Sequence, residues 1–272
     1  MRSAEQPSLS LPAAGAGSRA ELRQHLVRSR IAGQVATPRG TNLGNYARCS
    51  AREPLYTFGL EYGDEWTPVA ILALMAAKVG VSPDHAFTEG VDTIDPDCTL
   101  DALDRMSARI RLAIERRERV LLATGHPGAL LAIHAEIALT LRAAGCELLT
   151  PAGGQVVDVG DGTLSHVVHM TGVAMVSGGA ALKHTHSPEP MVAMLQDLAA
   201  RGEAPPDLVI ADHGYAGAAG QAGVDAIGFA DCNDPALFIG EALDKVLVAV
   251  PLDDGVLPEL YAPLTEYLLR DL

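Results

Sequence analysis

Apolar positions along the chain fall into short unbroken runs and longer stretches with helical spacing. Both patterns meet in residues 119–151, RVLLATGHPGALLAIHAEIALTLRAAGCELLTP. Val120–Ala123 is brief and wholly apolar, as a parallel strand covered on both faces should be. The turn Thr124-Gly125-His126-Pro127-Gly128 interrupts it. The following stretch, to about Ala144, has the length and the Ala, Leu and Ile content of a helix, and Gly145 ends it as glycines past helix C-termini do. Cys146–Leu149 is apolar again and reads as the next strand. Strand, glycine-rich turn, helix and strand make a βαβ unit that closes right-handed onto a parallel sheet. Ligands of such sheets sit beyond the carboxyl ends of the strands.

The alternation continues downstream. Strands are predicted at His166–His169, Val173–Val176, Leu208–Ala211, Ala226–Ala230 and Val246–Val250. Helices are predicted at Met191–Ala200, Ala216–Ala222, Pro235–Leu243 and Pro258–Leu269. Upstream the pattern is helical. Ser18-Arg19-Ala20-Glu21 is a capping box opening a helix to Ile31. Thr67-Pro68 opens a second helix, which Gly80 closes. Leu100, Leu103, Met106, Ile110 and Ile114 recur at helical spacing in a third, starting at Thr99. Residues 34–48 and 81–97 are polar and rich in turn formers, and read as loops. The fold class is therefore α/β, a three-layer sandwich with a mainly parallel sheet and an N-terminal helical extension. Residues 1–17 read as a disordered tail and 18–272 as a single domain, helical over 18–117 and sheet-forming over 118–272.

Composition narrows the partners. A hydrophobic content of 48% is ample for a full core. A net charge of −14 argues against nucleic acid, because no basic surface offsets phosphate repulsion. A small phosphorylated substrate remains compatible, since local cations, a metal or backbone amides can outweigh the global field. The four cysteines, Cys49, Cys98, Cys146 and Cys232, form no CxxC pair and suit reduced thiols in the cytoplasm. No apolar run reaches the roughly 18–20 residues of a membrane span. The oligomeric state is open, a homo-oligomer being compatible.

Five polar turns carry candidate chemistry. In Thr124–Gly128 the glycines admit an anion to backbone amides, and His126 can donate to a phosphate oxygen or bind a metal; a plain tight turn is the alternative. In Lys183-His184-Thr185-His186 the two histidines point the same way if the segment is extended, a common metal-ligand spacing. Asp212-His213-Gly214 follows a strongly apolar strand, where a carboxylate can hold a cation, orient a histidine or attack phosphorus; capping the next helix is the alternative. In Asp231-Cys232-Asn233-Asp234-Pro235, Asp234-Pro235 has the form of an ordinary N-cap, whereas Asp231 and Asn233 are oxygen donors of the kind Mg²⁺ or Mn²⁺ prefers. Asp253-Asp254-Gly255 is a common turn sequence. Arg39, in the 34–48 loop, either lies on a solvated surface or meets a phosphate through its guanidinium. His134, His166 and His169 read as packing or surface, and the aromatics of 56–66 as a pocket lining or a plug in the helix–sheet seam.

The segments IAGQVATPR, LLATGHPGALL, HTHSPEPM, ADHGYAGAAGQAGVD and FADCNDPALF resemble a family of actinobacterial proteins usually named phosphatases. The similarity spans about Leu26 to Leu269, although Gly40 stands where an acidic residue would be expected after Arg39. The resemblance implies phosphomonoester hydrolysis. Together with the residues it gives a metal-assisted phosphatase acting on a small metabolite. Asp212, Asp231, Asn233 and His184 would hold Mg²⁺ or Mn²⁺. Thr124, Gly125, His126, Gly128, Arg39 and Lys183 would bind substrate. Asp212, His213 and His186 would act in catalysis, with Asp212 as an alternative covalent nucleophile. The competing readings are a nucleotide- or sugar-phosphate isomerase or transferase on the same edge, and a non-catalytic small-ligand-binding protein.

Overall fold

The computed structural model describes residues 17–272; apart from Gly17, the expected tail lies outside the described residues. The N-terminal part comprises α1 (Arg19–Arg28), β1 (Gly33–Pro38), α2 (Arg39–Ser50), α3 (Pro54–Thr57), α4 (Pro68–Lys78), β2 (Val91–Ile94) and α5 (Pro96–Arg116). It continues into β3 (Arg119–Ala123), α6 (Pro127–Ala143), β4 (Glu147–Leu148), β5 (Val156–Asp158), β6 (Leu164–Met170), β7 (Val173–Gly178) and β8 (Ala181–Leu182). Then come α7 (Glu189–Ala200), β9 (Leu208–Asp212), α8 (His213–Gln221), β10 (Ala226–Ala230), α9 (Pro235–Ala242), β11 (Val248–Pro251) and, after a 3-10 turn at Pro258–Tyr261, α10 (Ala262–Leu269).

Nine strands form the main sheet in the order β11-β10-β9-β3-β7-β6-β5, with β4 beside β3 and β8 beside β7. Strands β11, β10, β9, β3, β4 and β7 pair in parallel, and β5, β6 and β8 add an antiparallel flank. Helices cover both faces. One layer holds α1, α5, α6 and α10; the other holds α7, α8 and α9 with α2 and α4 packed on them. This is the expected three-layer α/β arrangement with an N-terminal helical extension. Strands β9, β10 and β11 are buried at every position, which is why they appear in the sequence as unbroken apolar runs. One continuous core runs from Leu22 to Leu268. No described helix is long and apolar enough to cross a membrane.

The crossover after β3 goes through α6 to β4 on one side, whereas the crossover after β9 goes through α8 to β10 on the other. The chain thus reverses direction between β3 and β9, and the crevice outside their carboxyl ends is where such sheets place ligands. Predicted helix starts hold where capping is local. Ser18 accepts from the Glu21 amide in a complete capping box, and Thr67 accepts from Ala70.

Two predicted loops are structured instead. Residues 33–50 form β1 and α2, and β1 pairs antiparallel with β2, which lies inside the other predicted loop. This pairing joins segments far apart in sequence and leaves no local signal. Arg39 adds to the disguise, since it is wholly buried at the start of α2. Its Nη1 donates to Asp92 at 2.6 Å, Nε to the Phe87 carbonyl at 3.0 Å and Nη2 to the Asp84 carbonyl at 3.1 Å. The expectation that Arg39 binds substrate is corrected accordingly, because its donors are spent on holding the 84–92 segment. Removing one partner of a buried pair strands the other charge. Arg39→Met should therefore lower unfolding stability by about 3–5 kcal/mol, read from the denaturant midpoint.

Candidate active site

Four turns at one edge of the sheet supply the site: Thr124–Gly128 after β3, Asp212-His213 after β9, Asp231–Asp234 after β10 and Asp253-Asp254 after β11. The fifth segment, His184-Thr185-His186, runs from β8 to α7 and docks on the β3 turn, the Thr185 amide donating to the Gly125 carbonyl at 2.8 Å. Two glycines make this docking possible. A Cβ on Gly125 would sit 2.4 Å from the Thr185 carbonyl oxygen, and one on Gly214 would sit 2.3 Å from that of His186.

The result is a cluster of four imidazoles. The rings of His126 and His184 stack with centroids 4.1 Å apart and planes 4° from parallel, and those of His186 and His213 lie 4.6 Å apart. Ligand-capable atoms of His126, His184 and His213 fall within 4.8 Å of one another, as do those of His186, His213 and Asp234. The Asp254 Oδ2 lies 3.3 Å from both His126 Nδ1 and His213 Nε2, and the Asp234 Oδ2 lies 3.5 Å from the latter. Phe58, fully buried, meets the rings of His186 and His213 edge-on at 5.2 and 5.5 Å. One of the aromatics of 56–66 therefore braces the cluster.

Asp212 is the hidden support. It has no exposed surface, and its Oδ1 accepts from the Gly125 amide at 2.6 Å and from His213 Nδ1 at 2.7 Å. That second bond orients the His213 ring and leaves Nε2 facing the cluster, the role a carboxylate has behind a metal-binding histidine. An enclosed carboxylate has no line of approach to phosphorus, so the covalent alternative for Asp212 has no geometric basis. His213 sits at φ +46°, a left-handed conformation that costs a non-glycine residue about 1–3 kcal/mol and is concentrated at functional sites.

Other expected site residues lie elsewhere or are engaged. Asp231 accepts from the Cys232 amide, the Thr37 hydroxyl and Asn233 Nδ2, and Asn233 Oδ1 accepts from Asn45. Asp231 and Asn233 therefore brace a loop, and neither is among the groups whose ligand atoms fall within 4.8 Å of one another. Lys183 is tied to Asp161 at 2.8 Å. The amide of Gly125 is spent on Asp212 and that of His126 on the Thr124 hydroxyl. The expected cradle of backbone amides thus shrinks to the exposed Gly128. Two residues emerge that the sequence had disguised. Asp234 looked like a helix cap, yet its side chain caps nothing; Asp254 looked like a turn residue. Their shared signal was position, directly beyond buried parallel strands.

Electrostatics follow from burial and neighbours. Burial, then the His213 charge and neighbouring rings, pushes His184 down to about 4 and His186 down to about 3, so both are neutral lone-pair donors at neutral pH. Burial would lower His213 too, but bonds to Asp212 and Asp254 outweigh it and hold that ring well above its ordinary value. Burial opposes ionisation of Asp254, yet His126 and His213 hold its carboxyl well below the usual range. Asp234 is pushed up, first by burial and then by Asp254 and Asp212, against the pull of His213. His126 Nδ1 is buried without a hydrogen-bond partner, close to Asp254 but out of line for a bond.

Fold and site together define an α/β protein with a histidine–carboxylate centre at the switch point of a mainly parallel sheet. The Phosphatase family model matches residues 17–272, and the chain belongs to that family. It is 49% identical over 263 residues to the Phosphatase SCO2771 of Streptomyces coelicolor, covering 96% of this chain and 98% of that protein.

With no cation bound, the bonds to Asp212 and Asp254 favour a protonated His213 ring. In EDTA-treated protein its ring ¹⁵N shifts should show both nitrogens protonated at neutral pH. The raised pKa means that this proton stabilises the fold fully below His213's unfolded value, about 6.5, and that the contribution fades as pH rises through the folded value. Asp212→Asn should bring the titration of His213 down towards about 6.5; an unchanged titration would show that Asp212 does not set its charge. Gly214→Ala, which forces the His186 carbonyl aside, should destabilise the protein by about 1–3 kcal/mol, measured by thermal unfolding.

Proposed function

We propose that this protein is a metal-assisted phosphatase that hydrolyses the phosphomonoester of a small metabolite. One observation carries the reading: four imidazoles and two carboxylates from five distant segments converge with their ligand atoms a few ångströms apart. The donor set fits a divalent cation. His184 and His186 are neutral, His213 has its Nε2 turned inward by Asp212, and the buried His126 Nδ1 lacks a partner. His126, His184, His213 and Asp254 would hold the ion, with His186 and Asp234 beside it. A nitrogen-rich set of this kind suits Zn²⁺, Mn²⁺ or Fe²⁺ better than the Mg²⁺ that oxygen donors alone would favour.

When bound, the cation would offset phosphate charge and lower the pKa of an attacking water. The protein's own part is positioning. Asp212 fixes the His213 ring, and Phe58 holds His186 and His213 edge-on. Asp234 Oδ2, free of capping duty and 3.5 Å from His213 Nε2, would be the carboxylate that takes a proton from the attacking water. Leu55 and Val159 give the hollow of about 230 Å³ beside His184 and His186 an apolar wall.

Inorganic phosphate release from a panel of small phosphate esters tests the reading. Chelation should abolish turnover, and Mn²⁺ or Zn²⁺ should restore it better than Mg²⁺. His126→Ala and His184→Ala should each lower kcat/KM on the order of 100-fold or more and reduce the metal content per chain, measured by elemental analysis. Asp231→Asn replaces one accepting oxygen with an NH₂ that cannot accept, so it should loosen the loop and lower thermal stability by about 1–3 kcal/mol while leaving the metal content per chain unchanged. Full turnover after exhaustive chelation would remove the cation from the mechanism. Metal uptake should also weaken in acid, as protons compete for the imidazoles.

A further inference from the structure

The hollow beside His184 and His186 shares part of its wall with a second depression. Leu55, Val159 and Gly160 line both the hollow and this depression, a groove of about 560 Å³ that runs between α3, the β5 edge and the start of α7. The link is also covalent, since Ser187-Pro188, which line the groove, directly follow His186. We propose that this groove receives the alcohol portion of the phosphate ester, and that this portion is elongated, apolar and free of anionic groups. The inference rests on the phosphatase reading and adds the substrate class to it.

Shape comes first. A groove of this size has the capacity of a small-molecule site and exceeds what a two- or three-carbon alcohol would fill. Its apolar lining comprises Leu55 and Val159, which it shares with the hollow, together with Val156, Pro188 and Val192. Leu55 and Val156 are 39% and 48% exposed, so the apolar surface is available without any rearrangement.

Charge comes second. Among the described residues, no lysine or arginine lines either the groove or the hollow, whereas Asp158, Glu189 and Asp161 do. Lys183, which directly precedes His184, is bound to Asp161 and to the Thr163 hydroxyl. A second phosphate or a carboxylate on the substrate would therefore meet only like charge along this path, which disfavours sugar bisphosphates and nucleoside di- and triphosphates as well-fitting substrates. The polar partners that remain, Gln155 and Gln196, suit a neutral hydroxyl or amide.

Calorimetric titration of the metal-loaded protein with non-hydrolysable n-alkyl phosphonates, from methyl to octyl, reads the groove without relying on turnover. Affinity should rise about two- to fourfold per added methylene until the groove is filled. A terminal carboxylate on the octyl chain should cost at least about tenfold. Val156→Lys, a change at an exposed edge position, should shift the ratio of octyl to carboxyoctyl affinity at least about tenfold towards the acid. Affinity independent of chain length, or tighter binding of the carboxylated chain to the parent protein, would overturn the proposal. Phosphate release from octyl phosphate is scored separately. Length-dependent phosphonate binding without any release would sink the catalytic reading while leaving the groove assignment standing.

Discussion

The Asp212 carboxylate is the constraint on which the site depends. Its Oδ1 ties the turn after β3 to the turn after β9, accepting from the Gly125 amide and from His213 Nδ1 at once. These two turns flank the point where the sheet reverses its winding, and a buried carboxylate clamps them together. The same bonds orient His213, so the geometry of the cluster is set by a residue that never reaches it. Because the carboxylate is fully buried, both bonds are stronger than their surface equivalents and costly to break.

Close packing carries that constraint outward. Helix α8 is almost entirely small residues, and Gly214, Gly217 and Gly220 let it approach the His186, Phe58 and Lys245 carbonyls more closely than any side chain would permit. The histidine segment before α7 and the aromatic brace at Phe58 are thus pressed onto the same short helix that begins with His213. An imidazole cluster assembled in this way has little freedom to spread when neighbouring carboxylates repel one another, which is what a preformed centre requires.

Much of this could be read from the sequence, for reasons that differ by element. The parallel strands were legible because burial on both faces forbids polar interruption, so β9 and β10 stand out as apolar runs. The four histidines were legible because each lies at or beside a turn that the strand pattern places at one edge. Strand β1 and helix α2 were not, since their pairing partner lies far away and a buried Arg39 makes the segment look like surface. Within the β10 turn the sequence pointed to Asp231 and Asn233 and read Asp234 as a helix cap. Which of them faces the cluster depends on Thr37, Asn45 and the Cys232 amide claiming the first two. Such a choice is made by tertiary hydrogen bonds and leaves no trace in local spacing.

The charge of the site bears on the order of events in the proposed reaction. Asp212 and Asp254 are held ionised around His213, and Asp234 stands beside them with a raised pKa. A phosphate dianion approaching this pocket with His213 as its main positive charge would be repelled, and the chain's overall charge of −14 gives it no help from a distance. The same field draws in a divalent cation and favours its exchange for the His213 proton. On the proposed reading the cation therefore has to be seated before the ester can bind, and the carboxylates that make the empty pocket hostile to phosphate are the ones that make it a cation site.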